Sequence, residues 1–249
     1  MDIKDYFSGR EVAAAFSGGV DSAVLRCLAK KYAKRVKAYY AKSQFQPQFE
    51  LDDVVKVAKA LGAELEVIPL DVLAYDDVTK NPANRCYYCK KRIFTVICAA
   101  SQNDGFDIVC DGTNATDDAD DRPGFKALGE LGVESPLRAF GYTKSDIRQI
   151  ARDNRLAVAD KCSYACLATR IPTGTAISAD VLAKTERAED ILRTLGFNNF
   201  RVRYLDGAAK LELSHSDFAL LFDKKDEVYK SLCAFYSSVY LDLKERYDE

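Results

Sequence analysis

Glu11-Val-Ala-Ala-Ala-Phe16 is an apolar run of strand length; after a Ser-Gly-Gly turn, Val20, Val24, Cys27 and Leu28 recur at helical spacing. Strand, glycine turn and helix open a βαβ unit. The pattern continues with a strand over Val36 to Ala41, a helix over Leu51 to Leu61 closed by Gly62, and a strand over Leu65 to Leu70. A helix over Lys90 to Ala100 and the strand Asp107-Ile-Val-Cys-Asp111 follow. Strands alternating with helices at this spacing predict a parallel sheet covered on both faces, an α/β fold. After Pro172 the character changes. Val181, Leu182, Thr185, Ala188, Ile191, Leu192 and Leu195 mark one amphipathic helix stopped by Gly196. Arg201 to Leu205 and Lys210 to Leu213 read as strands joined at Asp206-Gly207, a hairpin dipeptide, and helices near 215–222 and 226–243 complete the pattern. The expected division is a larger α/β domain over 1–170 and a smaller α/β unit over 171–249.

The chain's 249 residues can bury a sizeable core. With 36 basic against 38 acidic residues the net charge is -2, which gives no global attraction to nucleic acid or anionic membranes. No apolar run approaches the ~18 residues that span a bilayer, and no signal peptide is visible, so a soluble cytoplasmic protein is expected. Eight cysteines in that compartment are not a disulfide framework, and metal binding or catalysis has to be considered for some of them. The acidic run at 117–122 reads as a solvated loop.

Ser17-Gly18-Gly19-Val20-Asp21-Ser22 lies where a strand ends and a helix begins, so backbone N–H groups and the positive end of the helix dipole converge on one spot. Gly18 and Gly19 let backbone approach phosphate oxygens, and Ser17 and Ser22 add hydroxyl donors. Asp21 would repel bare phosphate; it makes sense as a holder of Mg2+ or as a helix cap. Neither the lysine-bearing P-loop nor the dinucleotide glycine pattern is present. Ser17 to Ser22 resembles the SGGxDS signature of the PP-loop ATP pyrophosphatase superfamily, whose members bind ATP, adenylate an oxygen of a second substrate and release pyrophosphate. Downstream, Asp111-Gly-Thr-Asn114 closes a strand and brings Thr113 and Asn114 to the same sheet edge. Departing pyrophosphate needs positive charge, for which Arg170 and Arg201 or Arg203 are candidates.

Cys86 and Cys89 form a C-x-x-C, and Cys162 and Cys166 a C-x-x-x-C some seventy residues on. Four thiolates would suit a closed structural zinc site, a dithiol at a helix start would suit redox chemistry, and three thiolates would suit an iron–sulfur cluster with one iron open. Asn-Pro-x-x-Arg-Cys-Tyr-Tyr-Cys-Lys at 81–90, Asp-Gly-Thr-Asn-Ala at 111–115 and Cys-Leu-Ala-Thr-Arg-Ile-Pro-x-Gly-Thr at 166–175 resemble the LarE family in content and order. That resemblance implies an ATP-dependent sulfur transferase that adenylates the carboxylates of pyridinium-3,5-biscarboxylic acid mononucleotide and converts them to thiocarboxylates, in the biosynthesis of a nickel-pincer nucleotide. It implies one of two sulfur sources. Either the cysteine matching Cys166 gives up its own sulfur, or three cysteines, matching Cys86, Cys89 and Cys166, hold a 4Fe-4S cluster that presents sulfide. The presence of all three points to the cluster. Cys162 departs from the family pattern, which carries a non-cysteine there, often proline, and a fourth thiolate would occupy the open iron. Cys27, Cys98, Cys110 and Cys233 read as ordinary core thiols.

In the smaller unit Arg201 and Arg203 share one strand face, suited to the substrate's phosphate or carboxylates. Glu186 and Glu189 read as a solvated helix face, and His215, the single histidine, carries no catalytic expectation. Two further readings stand beside the main one: a PP-loop tRNA thiolase, for which no basic patch is evident, and a nucleotide-binding module with a four-thiolate zinc. Homo-oligomerisation through the smaller unit is expected, and the sequence names no donor for the sulfide.

Overall fold

The computed structural model describes residues 2–117, 123–161 and 164–246. Cys162 and most of the acidic run at 117–122 lie outside the described residues. The chain forms two compact units, one of residues 1–72 and 84–161, the other of 73–83 and 162–249.

In chain order the first unit comprises α1 (Ile3–Phe7), β1 (Glu11–Ala15), α2 (Val20–Tyr32), β2 (Arg35–Lys42), α3 (Gln48–Ala60) and β3 (Leu65–Pro69). A short helix α4 (Asp76–Thr79) belongs to the second unit, after which α5 (Arg85–Asn103), β4 (Ile108–Cys110), α6 (Gly124–Glu130), α7 (Pro136–Ala139) and α8 (Lys144–Asp153) complete the first. Its four strands are all parallel in the order β3-β2-β1-β4. The α/β architecture expected from the alternation is present. β1 is central and covered on both faces: Val12, Ala13 and Ala14 have no exposed surface, and alanine on both sides lets helices approach closely. Val24, Leu25, Val54, Leu137 and Ile147 fill the core on one face. The strand order reverses at β1, because β2 lies on one side of it and β4 on the other. In parallel α/β sheets that switch point opens a crevice beyond the carboxyl ends of the two strands.

The second unit carries, besides α4, a 3-10 turn over Leu167–Arg170, α9 (Ala179–Thr194), β5 (Phe200–Leu205), β6 (Ala208–Leu213), α10 (His215–Leu232) and β7 (Val239–Leu241). β5 and β6 form an antiparallel hairpin, with Asp206 and Gly207 both at positive φ, the backbone a two-residue primed turn demands. β7 adds in parallel to β6. Leu192, Phe197, Val202, Leu211, Leu213, Val228 and Leu232 make the core. Two helix expectations are corrected here. A single helix runs through 215–232 because the charged stretch Asp223 to Glu227 consists of helix-compatible residues and includes a Lys224–Glu227 pair one turn apart (3.4 Å). The expected helix over 226–243 is not formed: α10 ends at Leu232 with Cys233 as its C-cap, and after Ser237-Ser238 the β-favouring Val239-Tyr240-Leu241 joins the sheet.

Candidate active site

Gly18 takes φ +71°, and a Cβ there would lie 2.9 Å from Val54 Cγ2 and 3.1 Å from Val54 Cα. Both backbone and α3 therefore demand glycine at this position. The loop it forms is pinned by serines: Ser22 Oγ donates to the Gly19 carbonyl (3.0 Å), accepts from the Ser17 N–H (3.2 Å) and lies 3.3 Å from Ser17 Oγ. Gly19 is the N-cap of α2 and makes no side-chain cap, so the N–H groups of the first helical turn face outward at the positive end of the dipole. Asp21 stands inside that first turn, which removes the capping role considered for it. Its Oδ1 accepts from Asn114 Nδ2 (3.1 Å) and its Oδ2 from Lys144 Nζ (2.5 Å).

The segment after β4 is packed against this loop: a Cβ on Gly112 would stand 3.0 Å from the Ser22 amide nitrogen. Asp111 is buried, accepts from Thr113 Oγ1 (2.5 Å), the Thr113 N–H (3.2 Å) and Ser135 Oγ (2.6 Å), and so rigidifies the turn. Thr113 and Asn114 do reach the expected crevice, but through these neighbours: Thr113 is turned onto Asp111, and Asn114 holds Asp21. Sequence reasoning missed Lys144. A signal for its helix existed, since Thr143-Lys-Ser-Asp146 is a capping box whose reciprocal bonds form in the structure (Thr143 N–H to Asp146 Oδ2 2.9 Å, Asp146 N–H to Thr143 Oγ1 3.2 Å).

In the first unit Cys86 and Cys89 lie in the opening turns of α5, three residues apart and therefore on one side of it, Cys86 exposed and Cys89 half-buried. The helix starts at Arg85, earlier than the sequence pattern indicated. In the second unit Cys166 precedes the 3-10 turn and is half-buried; its carbonyl accepts from the Thr169 N–H (3.0 Å) and hydroxyl (2.8 Å). Among the described residues no three His, Cys, Asp or Glu side chains gather as a metal site. Cys86 and Cys89 belong to the first unit and Cys166 to the second, and no chemical step is derived through a 4Fe-4S cluster.

Arg170 is 1% exposed. Its Nε and Nη2 donate to the two carboxylate oxygens of Glu189 (2.6 and 3.3 Å), and Nη1 donates to the Ala165 carbonyl (3.0 Å) and Thr169 Oγ1 (2.8 Å). Burial opposes its charge, yet the Glu189 carboxylate beside it holds the guanidinium above its ordinary range. Glu189 also accepts from Tyr164 OH (2.5 Å) and the Val202 N–H (3.2 Å). The solvated face expected for Glu189 is thus corrected: it is 1% exposed, and its place four residues after Thr185 and three before Leu192 put it on the core side of α9. Arg203 donates to the Thr169 carbonyl and, through Nε, to Glu212 (2.9 Å). Arg201 lies opposite Glu212 in the hairpin register. Asn81, wholly buried at positive φ, donates from Nδ2 to the carbonyls of Pro172 (2.8 Å) and Thr175 (3.1 Å), and its own carbonyl accepts from Gly174. Two arginines and an asparagine thus fix the segment from Ala165 to Thr175 on both sides.

Residues 4–82 match the asparagine synthase family, a PP-loop family, over the stretch that contains Ser17 to Ser22. The chain is 34% identical to a pyridinium-3,5-bisthiocarboxylic acid mononucleotide synthase of Lactiplantibacillus plantarum, over 90% of this chain and 83% of that protein. It belongs to the LarE family. An uncharacterized protein of Synechocystis sp. shares 36% identity over 85% of this chain and 80% of its own. A tRNA-specific 2-thiouridylase of Thermotoga petrophila is more distant, at 26% over 61% of this chain and 54% of its own length. The LarE assignment agrees with the order of the blocks at 17–22, 81–90, 111–115 and 166–175, and PP-loop membership brings ATP use with it. Among the described residues no helix is long and apolar enough to cross a membrane.

Proposed function

We propose that this chain is an ATP-dependent sulfur transferase acting on pyridinium-3,5-biscarboxylic acid mononucleotide. The observation that carries the reading is the crevice at the β1/β4 switch point, where Gly18, the open first turn of α2 and the Asp21–Lys144 pair converge, in a chain whose LarE relative is named for the dithiolated product. ATP phosphates take the N–H groups of the loop and the Ser17 and Ser22 hydroxyls. Asp21 is the carboxylate this loop offers to the Mg2+ that accompanies ATP, and Lys144 is the cation that offsets charge on departing pyrophosphate. A substrate carboxylate oxygen attacks the α-phosphorus, the α–β bond breaks, and pyrophosphate leaves. The Cys166 thiolate then attacks the acyl carbon and AMP departs; loss of the Cys166 α proton with cleavage of its Cβ–Sγ bond releases the thiocarboxylate and leaves dehydroalanine. Cys166 is assigned to sulfur delivery, Cys86 and Cys89 to its support, and Arg201 and Arg203 to the substrate's anionic groups. Arg170, buried under the Cys166 segment, positions that segment rather than touching substrate.

Pyrophosphate release measured with ATP and candidate acceptors tests the assignment. The pyridinium mononucleotide is expected to stimulate it; stimulation by total tRNA alone would transfer the reading to a thiouridylase, the activity named for the Thermotoga relative. Iron and sulfide content after anaerobic purification tests the cluster: both present, and both lost on Cys86→Ala, supports it, whereas stoichiometric zinc without iron overturns it.

A further inference from the structure

Arg170 and Arg203 each donate to a glutamate, at 2.6 and 2.9 Å, so their charge is neutralised within the second unit. Arg138, at the end of α7, differs. It is half-buried, yet among the described residues no carboxylate pairs with it. Its Nη1 donates to the Asp117 carbonyl (2.6 Å), and its guanidinium carbon stands 5.1 Å from the centre of the Phe125 ring. Among the described residues Nε and Nη2 have no acceptor. A cation drawn partly out of water without a counter-ion is costly unless a ligand supplies one.

Backbone bonds place this guanidinium at the crevice. The Arg138 N–H donates to the Thr113 carbonyl (3.1 Å) and the Ala115 N–H to the Tyr142 carbonyl (2.8 Å), which fastens α7 to the turn after β4. A chain of hydrogen bonds continues to the nucleotide loop: Asp117 Oδ2 accepts from the Asn114 N–H (3.0 Å), and Asn114 Nδ2 donates to Asp21 (3.1 Å). Arg138 therefore stands on the β4 side, beyond the groups that face phosphate.

We propose that Arg138 binds the substrate carboxylate that is not being adenylated, an inference that rests on the function proposed above. The 3- and 5-carboxylates lie on opposite flanks of the pyridinium ring. When an oxygen of one meets the α-phosphorus, the other is carried away from the loop and needs a cation of its own. Nε–H and an Nη2–H form a parallel pair that matches the two oxygens of a carboxylate, and packing on Phe125 restrains the plane of that fork.

Pyrophosphate release is measured with two acceptors, the dicarboxylate and pyridinium-3-carboxylic acid mononucleotide, which lacks the second carboxylate. Arg138→Met is expected to raise KM for the dicarboxylate ~10–100-fold with kcat little changed, the signature of lost uniform binding. The single-carboxylate acceptor gives Arg138 nothing to hold, so its KM is the same in parent and variant. Arg138→Lys recovers part of the loss, because an ammonium has charge without the fork. ATP binding by calorimetry is unchanged in both variants, which also reports an intact loop. An equal rise in KM for both acceptors, a dicarboxylate KM that Arg138→Met leaves unmoved, or ATP affinity lost in the variants would overturn this inference alone. A parent that releases no pyrophosphate with either acceptor would overturn the proposed function, and this inference with it.

Discussion

Asp21 and Glu189 are both carboxylates held by a cation, but the Asp21 and Lys144 side chains are 25% and 32% exposed, while those of Glu189 and Arg170 are buried. An accessible pair is worth little to stability and exchanges readily for a ligand, because water screens it. A buried pair with its remaining hydrogen bonds satisfied is a fixed strut, since removing one partner strands a charge away from water. The first unit's crevice thus has charge arranged to be redistributed, and the segment carrying Cys166 has charge arranged to stay put. A nucleotide site needs the first property. A thiol that must meet an activated carbon at the right angle needs the second.

The largest expected effect falls on the buried pair: Glu189→Ala or Arg170→Met alone costs about 3–5 kcal/mol of unfolding free energy in urea titrations, and Arg170→Met with Glu189→Leu recovers part of it. If either single variant stays within about 1 kcal/mol of the parent, the strut reading is wrong. Gly18→Ala comes next: left-handed backbone alone costs roughly 1–2 kcal/mol, and contact with Val54 adds to it. Calorimetry is expected to show ATP binding abolished in this variant. Lys144→Met sharpens the contrast from the other side, with stability changed by less than about 1 kcal/mol and pyrophosphate release slowed ~10–100-fold. The smallest effect concerns His215 on the surface of α10, whose hydrogen bond and charge pairing with Glu245 raise its pKa. A group raised in the folded state stabilises below its unfolded pKa and loses that contribution as pH rises through the folded value. An NMR titration should therefore place its midpoint above ~6.5 and return it toward that value in Glu245→Gln.

Much of the fold was legible because alternating runs such as Glu11 to Phe16 and Val20 to Leu28 carry their own periodicity, and the Ser17 to Ser22 turn carries its own chemistry. Asp206-Gly207 and Gly196 announced a hairpin and a helix stop through their backbone needs, and both sit at positive φ. Hidden features were those made by partners distant in sequence. Nothing near Lys144 points to Asp21, 123 residues away, and nothing near Asn81 shows that its amide would tie down Pro172 and Thr175. Glu189 was visible in principle, since the spacing from Thr185 to Leu192 runs through it; a charged residue on an apolar face was read as solvated because its counter-ion, Arg170, belongs to another segment. The charged run Asp223 to Glu227 was read as a break although charged side chains sit comfortably on an exposed helix.

The division of roles between the two regions is tested most directly by Cys166→Ser, assayed for both half-reactions with ATP and pyridinium-3,5-biscarboxylic acid mononucleotide. Pyrophosphate release is expected to persist while mass spectrometry finds no sulfur-for-oxygen exchange in the nucleotide. Thiocarboxylate formed at the parent's yield by Cys166→Ser, or pyrophosphate release abolished with it, would contradict the account.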